Sequence, residues 1–132
     1  MERTFVMAKP DAVSRGLVGK IISTFEARGM KLVSLKVMTP TEEIAADHYA
    51  EHKGKGFYPG LISFLTSGPV VPMVFEGKSA ISVGRQIIGA TRDPAPGSLR
   101  GTYAESIDHN VVHGSDAPES AKREMGIWFP EL

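Results

Sequence analysis

Four side chains with phosphate-binding chemistry are scattered along the chain. Each lies at the end of a predicted element or in a long loop: Lys9, Arg85, Thr91 and Arg100. Cations carried by different loops can converge on one polyphosphate, although any one of them alone is more often a solvated surface charge. The sequence has no Gly-x-x-x-x-Gly-Lys-[Ser/Thr] and no Gly-x-Gly-x-x-Gly after a strand. A P-loop or Rossmann mechanism is therefore disfavoured.

His113 is the candidate nucleophile. It lies in the segment Asn110–Asp116, between a short apolar strand and the predicted start of the last helix, where an anion is favoured. A neutral imidazole attacks phosphorus without first losing a proton, provided that its other nitrogen donates to a carboxylate or a carbonyl. Glu124 on the following helix is the candidate carboxylate, with Ser120 one turn earlier on the same face. A lone histidine is more often structural, so His113 needs further support.

The remaining histidines and two aromatic residues allow weaker alternatives. His48 and His52 share one helical face, but the Glu of His-Glu-x-x-His is missing, so a zinc site is disfavoured. We interpret both, together with His109, as structural or solvated. Tyr49 and Phe57 flank a glycine-rich turn and are placed to stack on a flat ring, although core packing is the commoner role for such residues.

Strands and helices alternate along the first part of the chain. A strand over 4–8 stops at Lys9-Pro10, because proline has no backbone donor. The apolar spacing predicts a helix over 13–28 with Gly29 as its C-cap, and period-two alternation predicts a strand over 30–38.

The middle of the chain continues this alternation. Thr39-Pro40-Thr41-Glu42 is interpreted as a capping box, so a helix is expected over 40–49. Another helix starts near Phe57 and is halted by Ser67-Gly68-Pro69. Residues 70–76 form a buried strand in which Pro72 suggests an edge position or a bulge.

The last third contains a helix, a long loop, a short strand and a final helix. The first helix spans 80–88 and closes on Gly89, and residues 90–109 are read as irregular. A very short strand at 111–112 precedes a helix through Met125 with Asp116 as its N-cap. The pattern predicts a four-stranded sheet covered by helices and does not decide between parallel and antiparallel pairing.

Composition narrows the class of protein. The chain has 132 residues, 42% of them hydrophobic, with a net charge of 0 and no cysteine. One domain over 1–132 is expected, and disulfides and thiolate metal sites are excluded. The balanced charge disfavours a nucleic-acid partner, and no apolar run approaches the roughly 18 residues of a membrane span. We expect a soluble cytoplasmic protein with no membrane partner.

Motifs along nearly the whole chain resemble those of nucleoside diphosphate kinases. The resemblance rests on Lys9-Pro10-Asp11, Arg15-Gly16-Leu17-Val18-Gly19, His48-Tyr49-x-Glu51-His52, Ser67-Gly68-Pro69-Val70-Val71, Gly89-Ala90-Thr91, Arg100-Gly101 and Asn110-x-x-His113-Gly114-Ser115-Asp116. Several motifs in the right order are far more specific than any one of them. The resemblance implies an α+β fold, a ferredoxin-like βαββαβ sandwich with a four-stranded antiparallel sheet covered by helices.

The resemblance also implies an activity. The enzyme would transfer the γ-phosphate of a nucleoside triphosphate to a nucleoside diphosphate by a ping-pong mechanism, through a phosphohistidine on the pros nitrogen of His113. Base specificity would be low, and the role would be to maintain nucleoside and deoxynucleoside triphosphate pools. Mg²⁺ would be held mainly by the nucleotide phosphates, with no direct protein ligand.

Roles for individual side chains follow from the same resemblance. Glu124 would orient His113, and Tyr49 and Glu51 would orient Lys9. Lys9 and Asn110 would contact the sugar, while the phosphates would be held by Arg85, Thr91 and Arg100. The base would lie between Phe57, with Leu61 beside it, and Ile107.

A homo-oligomer is implied as well, a hexamer in preference to a tetramer. Three departures from the family pattern are evident: a shorter loop over 89–100, Thr102 in place of an acidic residue, and Ala117 in place of a serine. The loop leaves the oligomeric state most open. None of the three is a residue assigned to phosphoryl transfer.

Two competing hypotheses remain. A catalytically silent nucleotide-binding module would use the same fold, but it has no need for His113 together with the full set of phosphate, sugar and carboxylate side chains. Nucleic-acid binding is a weaker third possibility, because it would need a basic surface that the balanced charge does not supply.

Overall fold

A computed structural model describes all 132 residues. Four antiparallel strands form one sheet in the order β2-β3-β1-β4. The strands are β1 (Glu2–Ala8), β2 (Lys31–Leu35), β3 (Val71–Gly77) and β4 (Val112–Gly114). The helices are α1 (Pro10–Ser14), α2 (Val18–Ala27), α3 (Glu42–His48), α4 (Tyr58–Leu65), α5 (Ala80–Ile88), α6 (Leu99–Tyr103) and α7 (Pro118–Trp128), with a 3-10 turn at Ala50–His52. The expected α+β sandwich with an antiparallel sheet is confirmed.

The sheet has an apolar cluster on each face. Alternate residues of β1 enter opposite clusters: Val6 lies in the cluster beneath α2 and α5, and Phe5 lies in the cluster beneath α3, α4 and α7. From Thr4 to Ala8, β1 is buried on both faces, and it pairs with β3 on one side and β4 on the other. The strand that precedes Lys9 and lies beside His113 is therefore the most constrained part of the fold.

Two expected elements are divided differently. The helix expected over 13–28 is two helices, α1 and α2, because Gly16 between them takes a φ of +70°, which a continuing helix does not allow. The irregular stretch expected over 90–109 contains α6, whose N-cap Ser98 accepts a hydrogen bond from the N–H of Gly101.

Pro72 lies in a central strand, so the expected edge position is wrong. Its carbonyl accepts from the N–H of Lys36 on the β2 side, and Pro72 has no N–H to donate back. The missing donor falls just beyond Leu35, where β2 ends. The proline is tolerated because its missing donor falls on the β2 side, where the pairing is interrupted only briefly and resumes between Met38 and Val70, while the pairing with β1 is unaffected.

The two expected helix caps also differ. Thr41 rather than Thr39 begins α3, and its hydroxyl accepts from the N–H of Ile44, so Pro40 lies before the helix. At α7 the N-cap is Ala117, which offers no side-chain acceptor, and Asp116 instead accepts from the Ser120 hydroxyl.

None of these helices has the length and hydropathy that a bilayer-spanning segment requires.

Candidate active site

His113 lies in the middle of β4, opposite Met7 of β1, with 21% of its side chain exposed. Its Nε2 is 3.0 Å from Oε1 of Glu124 on α7. The ring packs against the rings of Phe5 and His48, with centroid distances of 5.9 and 4.7 Å. Nδ1 makes no hydrogen bond, so it is the ring nitrogen left for chemistry.

The Glu124 carboxylate fixes the tautomer of His113. Burial by itself raises the pKa of Glu124, but the hydrogen bond and charge of His113 and the hydrogen bond from Ser115 outweigh it, so the net pKa lies below 4.5. An ionised carboxylate accepts, so Nε2 carries the proton and Nδ1 keeps its lone pair. The pair therefore orients the ring with Nδ1 as the nucleophilic nitrogen of its neutral form.

Ser115 supports this carboxylate. Its hydroxyl donates to Oε1 of Glu124 at 2.6 Å, and the residue is almost fully buried. The sequence reasoning assigned no role to Ser115 and placed Ser120 beside Glu124, whereas Ser120 bonds to Asp116. The available sequence signal for Ser115 was its position two residues after His113, at the start of the turn that leads into α7.

His48 lies against His113, which the sequence reasoning did not expect. It is 3% exposed, and Nε1 of Trp128 donates to its Nδ1 at 3.1 Å. Burial, followed by the charges of His113 and Lys9, holds the pKa of His48 well below 6.5. His48 is therefore neutral with its proton on Nε2. The available sequence signal was the apolar Ala45 three residues earlier and the aromatic Tyr49 next to it, a pattern typical of a helix face turned toward the core.

Neither histidine pair suits a metal ion. His48, His113 and Glu124 place one ligand atom each within 4.8 Å of one another. With Nδ1 of His48 accepting from Trp128, however, a metal at Nε2 would require the imidazolate anion, which has no proton on either nitrogen. The His48 and His52 pair is not brought together either, because His52 turns toward Glu51 and Lys55.

Lys9 follows β1 and lies beside the β4 strand. Its Nζ donates to Oδ1 of Asn110 at 2.9 Å, and Nδ2 of Asn110 donates to the carbonyl of Ile107 at 3.0 Å. Burial, with the charge of Arg100 in addition, lowers the pKa of Lys9 from 10.5 to about 8. A buried ammonium group held next to an amide suits a polar, anionic ligand.

The expected orientation of Lys9 by Tyr49 and Glu51 is not seen. Tyr49 is buried, which raises the pKa of its hydroxyl to about 12, and that hydroxyl makes no hydrogen bond within the chain. The Glu51 carboxylate is exposed and lies 3.7 Å from His52. Glu51 lies in the 3-10 turn, which directs its side chain to solvent, so Asn110 takes the orienting position.

Arg100 connects the long loop to β4. Its Nη1 donates to the Gly89 carbonyl and to Oγ1 of Thr91, and its Nη2 donates to the Val112 carbonyl at 2.9 Å. Its Nε is buried without a partner. Burial, followed by the nearby Arg85, lowers the pKa of Arg100 to about 10.

The phosphate-binding candidates therefore lie close to one another. Lys9 and Arg100 repel each other across the site, as do Arg100 and Arg85, and Arg85 is exposed without an ion-pair partner. Since Arg100 bonds to the residue preceding His113, the cations surround the free face of β4. Like charges held together in this way are an unfavourable arrangement that a polyphosphate would relieve.

Apolar side chains are exposed beside these cations. Phe57 is 53% and Ile107 45% exposed, unusual values for such residues, and Leu61 is half-buried on α4. An open cleft of about 490 Å³ is lined by Thr91, Arg100 and Ile107 among others. The site thus combines a charged end with an apolar end.

Comparison with known protein families gives one result along the whole chain. A family model described as nucleoside diphosphate kinase matches residues 2–132. A nucleoside diphosphate kinase of Carboxydothermus hydrogenoformans is 58% identical over 99% of this chain and 89% of its own length. One from Helianthus annuus is 53% identical over 99% of this chain and 90% of its own length.

Solved structures agree. A halophilic nucleoside diphosphate kinase from Halobacterium salinarum, in complex with CDP, superimposes with a TM-score of 0.94 at 50% identity, over 97% of this chain and 87% of that one. A nucleoside diphosphate kinase family protein from Babesia bovis gives a TM-score of 0.95 at 45% identity, over 99% and 90% of the two chains. Both the sequence and the fold are thus similar to those of this family.

Proposed function

The chain belongs to the nucleoside diphosphate kinase family of phosphotransferases, and from that premise we propose that it works by a ping-pong mechanism through a phosphohistidine at His113. The observation that carries the proposal is the pairing of Nε2 of His113 with Glu124 at 3.0 Å, which leaves Nδ1 free. A silent binding module would not need this arrangement. The cellular role we propose is maintenance of nucleoside and deoxynucleoside triphosphate pools.

The first half-reaction forms one bond and breaks another. Nδ1 of His113 attacks the γ-phosphorus, the N–P bond forms, and the bond from that phosphorus to the bridging oxygen breaks, so the nucleoside diphosphate leaves with the electron pair. The ring becomes positively charged as the bond forms, and the ionised Glu124 stabilises that charge through Nε2–H. The second half-reaction is the reverse, with a different diphosphate as acceptor.

The cations stabilise the phosphoryl group in transit. We assign Arg85, Thr91 and Arg100 to the phosphates, because charge on the transferring group develops on its equatorial oxygens. The unpartnered Nε of Arg100 and the exposed Arg85 have donors to spare. Lys9 and Asn110 are assigned to the sugar, and Tyr49, whose charged neighbours are Arg100 and Glu124, adds a hydroxyl with no hydrogen-bond partner in the chain.

Low base specificity is expected from the exposed apolar side chains Phe57 and Ile107, of which Ile107 lines the cleft. Phe57, with Leu61 beside it, and Ile107 would hold the base by stacking and apolar contact. Stacking depends on a π-face that all bases share, and it does not use the hydrogen-bonding edge. The relative from Halobacterium salinarum was solved with CDP, which is consistent with nucleoside diphosphates as ligands of this chain.

We propose that Mg²⁺ enters with the nucleotide. The carboxylates around His113 already have partners: Glu124 accepts from His113 and Ser115, and Asp116 accepts from Ser120. The one cluster of metal-binding side chains is rich in nitrogen, whereas Mg²⁺ prefers oxygen and retains several waters. The residues present therefore fit a phosphate-bound ion, which would neutralise charge on the phosphates.

We also propose a homo-oligomer, a hexamer in preference to a tetramer. The outer edge of β2 is unpaired in the single chain, and Leu35 and Val37, at and just beyond its end, are 39% and 66% exposed. An open strand edge with exposed apolar residues is a surface on which another chain can pair.

The test is labelling of the protein in the absence of acceptor. With γ-labelled ATP and Mg²⁺, we expect acid-labile, base-stable label on the wild type and none on His113→Ala. The control is His109→Ala, which removes an exposed histidine outside the phosphate site and should label normally. Absence of label on the wild type, with nucleotide binding still measurable, would favour the silent module.

A further inference from the structure

The backbone is strained at Val111, two residues before His113. Val111 has a φ of +65°, and the N–H of Val112 donates to the carbonyl of Asn110 at 2.8 Å. A hydrogen bond across a single residue with positive φ defines a classic γ-turn, which is rare and strained. Valine is β-branched and therefore among the residues least suited to this region. Such a conformation persists only where the surroundings hold it in place.

One short segment holds this turn from both sides. The N–H of Lys9 donates to the Val111 carbonyl at 2.9 Å, and Oδ2 of Asp11 accepts from the Val111 N–H at 3.1 Å. The Lys9 ammonium bonds to the side chain of Asn110. Pro10, between the two, is buried and has a restricted φ, and it starts α1. The segment 9–11 therefore contacts both Asn110 and Val111.

Asp11 is the unusual member of this segment. Its Oδ1 is buried and has no hydrogen-bond partner. Burying an unpaired carboxylate oxygen is costly, and Asp11 is not the N-cap of α1, a position that Lys9 occupies. Besides its charge interaction with Lys9, the only hydrogen-bond partner of the carboxylate is the amide of the strained residue, which indicates what the carboxylate is for.

We propose that Asp11 is a positioning residue that fixes the γ-turn at Val111 and thereby sets the directions of Asn110 and His113 on either side of it. This inference rests on the function proposed above. If the turn relaxed to negative φ, the chain would leave Asn110 in another direction. The hydrogen bond from Arg100 to the Val112 carbonyl and the register of His113 opposite Met7 would then be disturbed.

A double-mutant cycle between Asp11 and Val111 tests the coupling. The variants are Asp11→Ala, Val111→Gly and the double variant, with Asp11→Asn added because its amide oxygen can still accept from Val111. The readouts are the single-turnover rate of phosphoenzyme formation and the Kd for ADP. Both are measured at a temperature below the unfolding transition of every variant, which circular dichroism determines. If Asp11→Ala does not fold, Asp11→Ser takes its place.

We expect Asp11→Ala to slow phosphoenzyme formation on the order of 10- to 100-fold, the cost of a misplaced reacting group. Asp11→Asn should restore most of the rate. In the Val111→Gly background the loss should shrink several-fold, because glycine adopts positive φ without strain and no longer needs to be held. Val13→Ala, which weakens the packing of α1 without touching the turn, should leave the rate close to that of the wild type.

An equal loss from Asp11→Ala in both backgrounds, or no loss in either, would overturn the proposal. A loss in Val13→Ala as large as that in Asp11→Ala would also overturn it, since stability of α1 would then explain the effect. Failure of the underlying function is distinguishable, because the wild type itself would then form no phosphoenzyme.

Discussion

At the scale of the residue, the site depends on how one carboxylate and one imidazole share a proton. Glu124 is nearly buried and bonds to both His113 and Ser115. An ionised acceptor at this position holds the proton of the neutral ring on Nε2, so that Nδ1 carries the free lone pair. The balance of burial against hydrogen bonding therefore controls both the reactivity of the histidine and the stability of this part of the fold.

Replacing Glu124 with glutamine should make the stability loss depend on pH. The pKa of Glu124 is lower in the folded state than its ordinary value of 4.5. The charged carboxylate therefore stabilises the fold above pH 4.5, and this contribution is lost as the pH falls through the folded-state pKa. We expect the difference in unfolding free energy between wild type and Glu124→Gln to be full at neutral pH and to shrink below pH 4.5. Urea denaturation at several pH values measures it, with the exposed Glu26→Gln as control. A difference independent of pH would contradict the assignment.

Lys9 should give a pH trend of the same sign in a more alkaline window. Its folded pKa of about 8 lies below the ordinary 10.5, so the folded state binds fewer protons than the unfolded state between these values. Stability attributable to Lys9 therefore rises with pH across that window. The unfolding free energy of the wild type should rise relative to Lys9→Met from about pH 8 to pH 10.5, as measured by urea denaturation. A constant or falling difference would mean that the ammonium is not desolvated.

The role of an individual residue was predictable where a sequence motif contains it, and not where the role depends on tertiary packing. The sequence suggested His113, Glu124, Lys9 and Arg100, and these lie together. It missed Ser115 and His48, whose roles depend on hydrogen bonds to Glu124 and Trp128 of α7, an element distant in the sequence from His48. It also assigned Glu51 to Lys9, although the 3-10 turn directs that carboxylate to solvent.

At the scale of the element, caps and breaks decide how each helix meets the site. α7 carries Glu124 and starts at Ala117 without a side-chain acceptor, although Pro118 at the first helical position partly prepares the turn. The first turn of α7 is therefore less stable than it would be with a side-chain acceptor at the N-cap.

Ala117→Ser should strengthen the start of α7. A serine N-cap in place of alanine is worth about 1 kcal/mol, and Ala117 already has extended backbone angles suited to a cap. We expect a rise of about that size in unfolding free energy by chemical denaturation. A serine at the exposed Lys122, inside the same helix, should give no rise. Equal or lower stability of Ala117→Ser would show that Asp116 or Ser120 already satisfies the free N–H groups.

The positions of helices and strands followed from hydrophobic periodicity, but only some of their ends did. Gly29 and Gly89 mark the ends of α2 and α5 as expected, because both take the positive φ that glycine allows. Gly16 has the same property inside an apolar helical pattern, and the pattern alone hid the break. That Pro72 lies in a central strand depends on the pairing of β3 with both β2 and β1, a tertiary arrangement that the local sequence does not contain.

At the scale of the whole molecule, the sheet is buried between two apolar clusters while its outer strand stays open. The antiparallel order of strands was implied by the resemblance and left undecided by periodicity, since a buried β1 reads as a continuous apolar run in either arrangement. The open edge of β2, with Leu35 and Val37 exposed, is the feature that a single chain leaves uncovered.

Assembly should be visible in the native mass. We expect a particle of six times the 14.2 kDa chain mass by light scattering, and Val37→Asp should reduce it by placing a charge on the exposed apolar edge. Lys53→Asp, which changes an exposed residue away from β2, should leave the mass unchanged. A monomeric wild type would contradict the proposed oligomer, and four chains would indicate the tetramer.

The central claim is that a phosphohistidine at His113 is a true intermediate, and rapid-quench discharge of the isolated phosphoprotein tests it most directly. The protein is labelled with γ-labelled ATP, freed of nucleotide, and mixed with CDP or GDP in a quench-flow instrument. We predict that all label moves to the added diphosphate as triphosphate, at a rate no slower than steady-state turnover with either acceptor. Discharge slower than turnover, or release of the label as inorganic phosphate, would contradict the account.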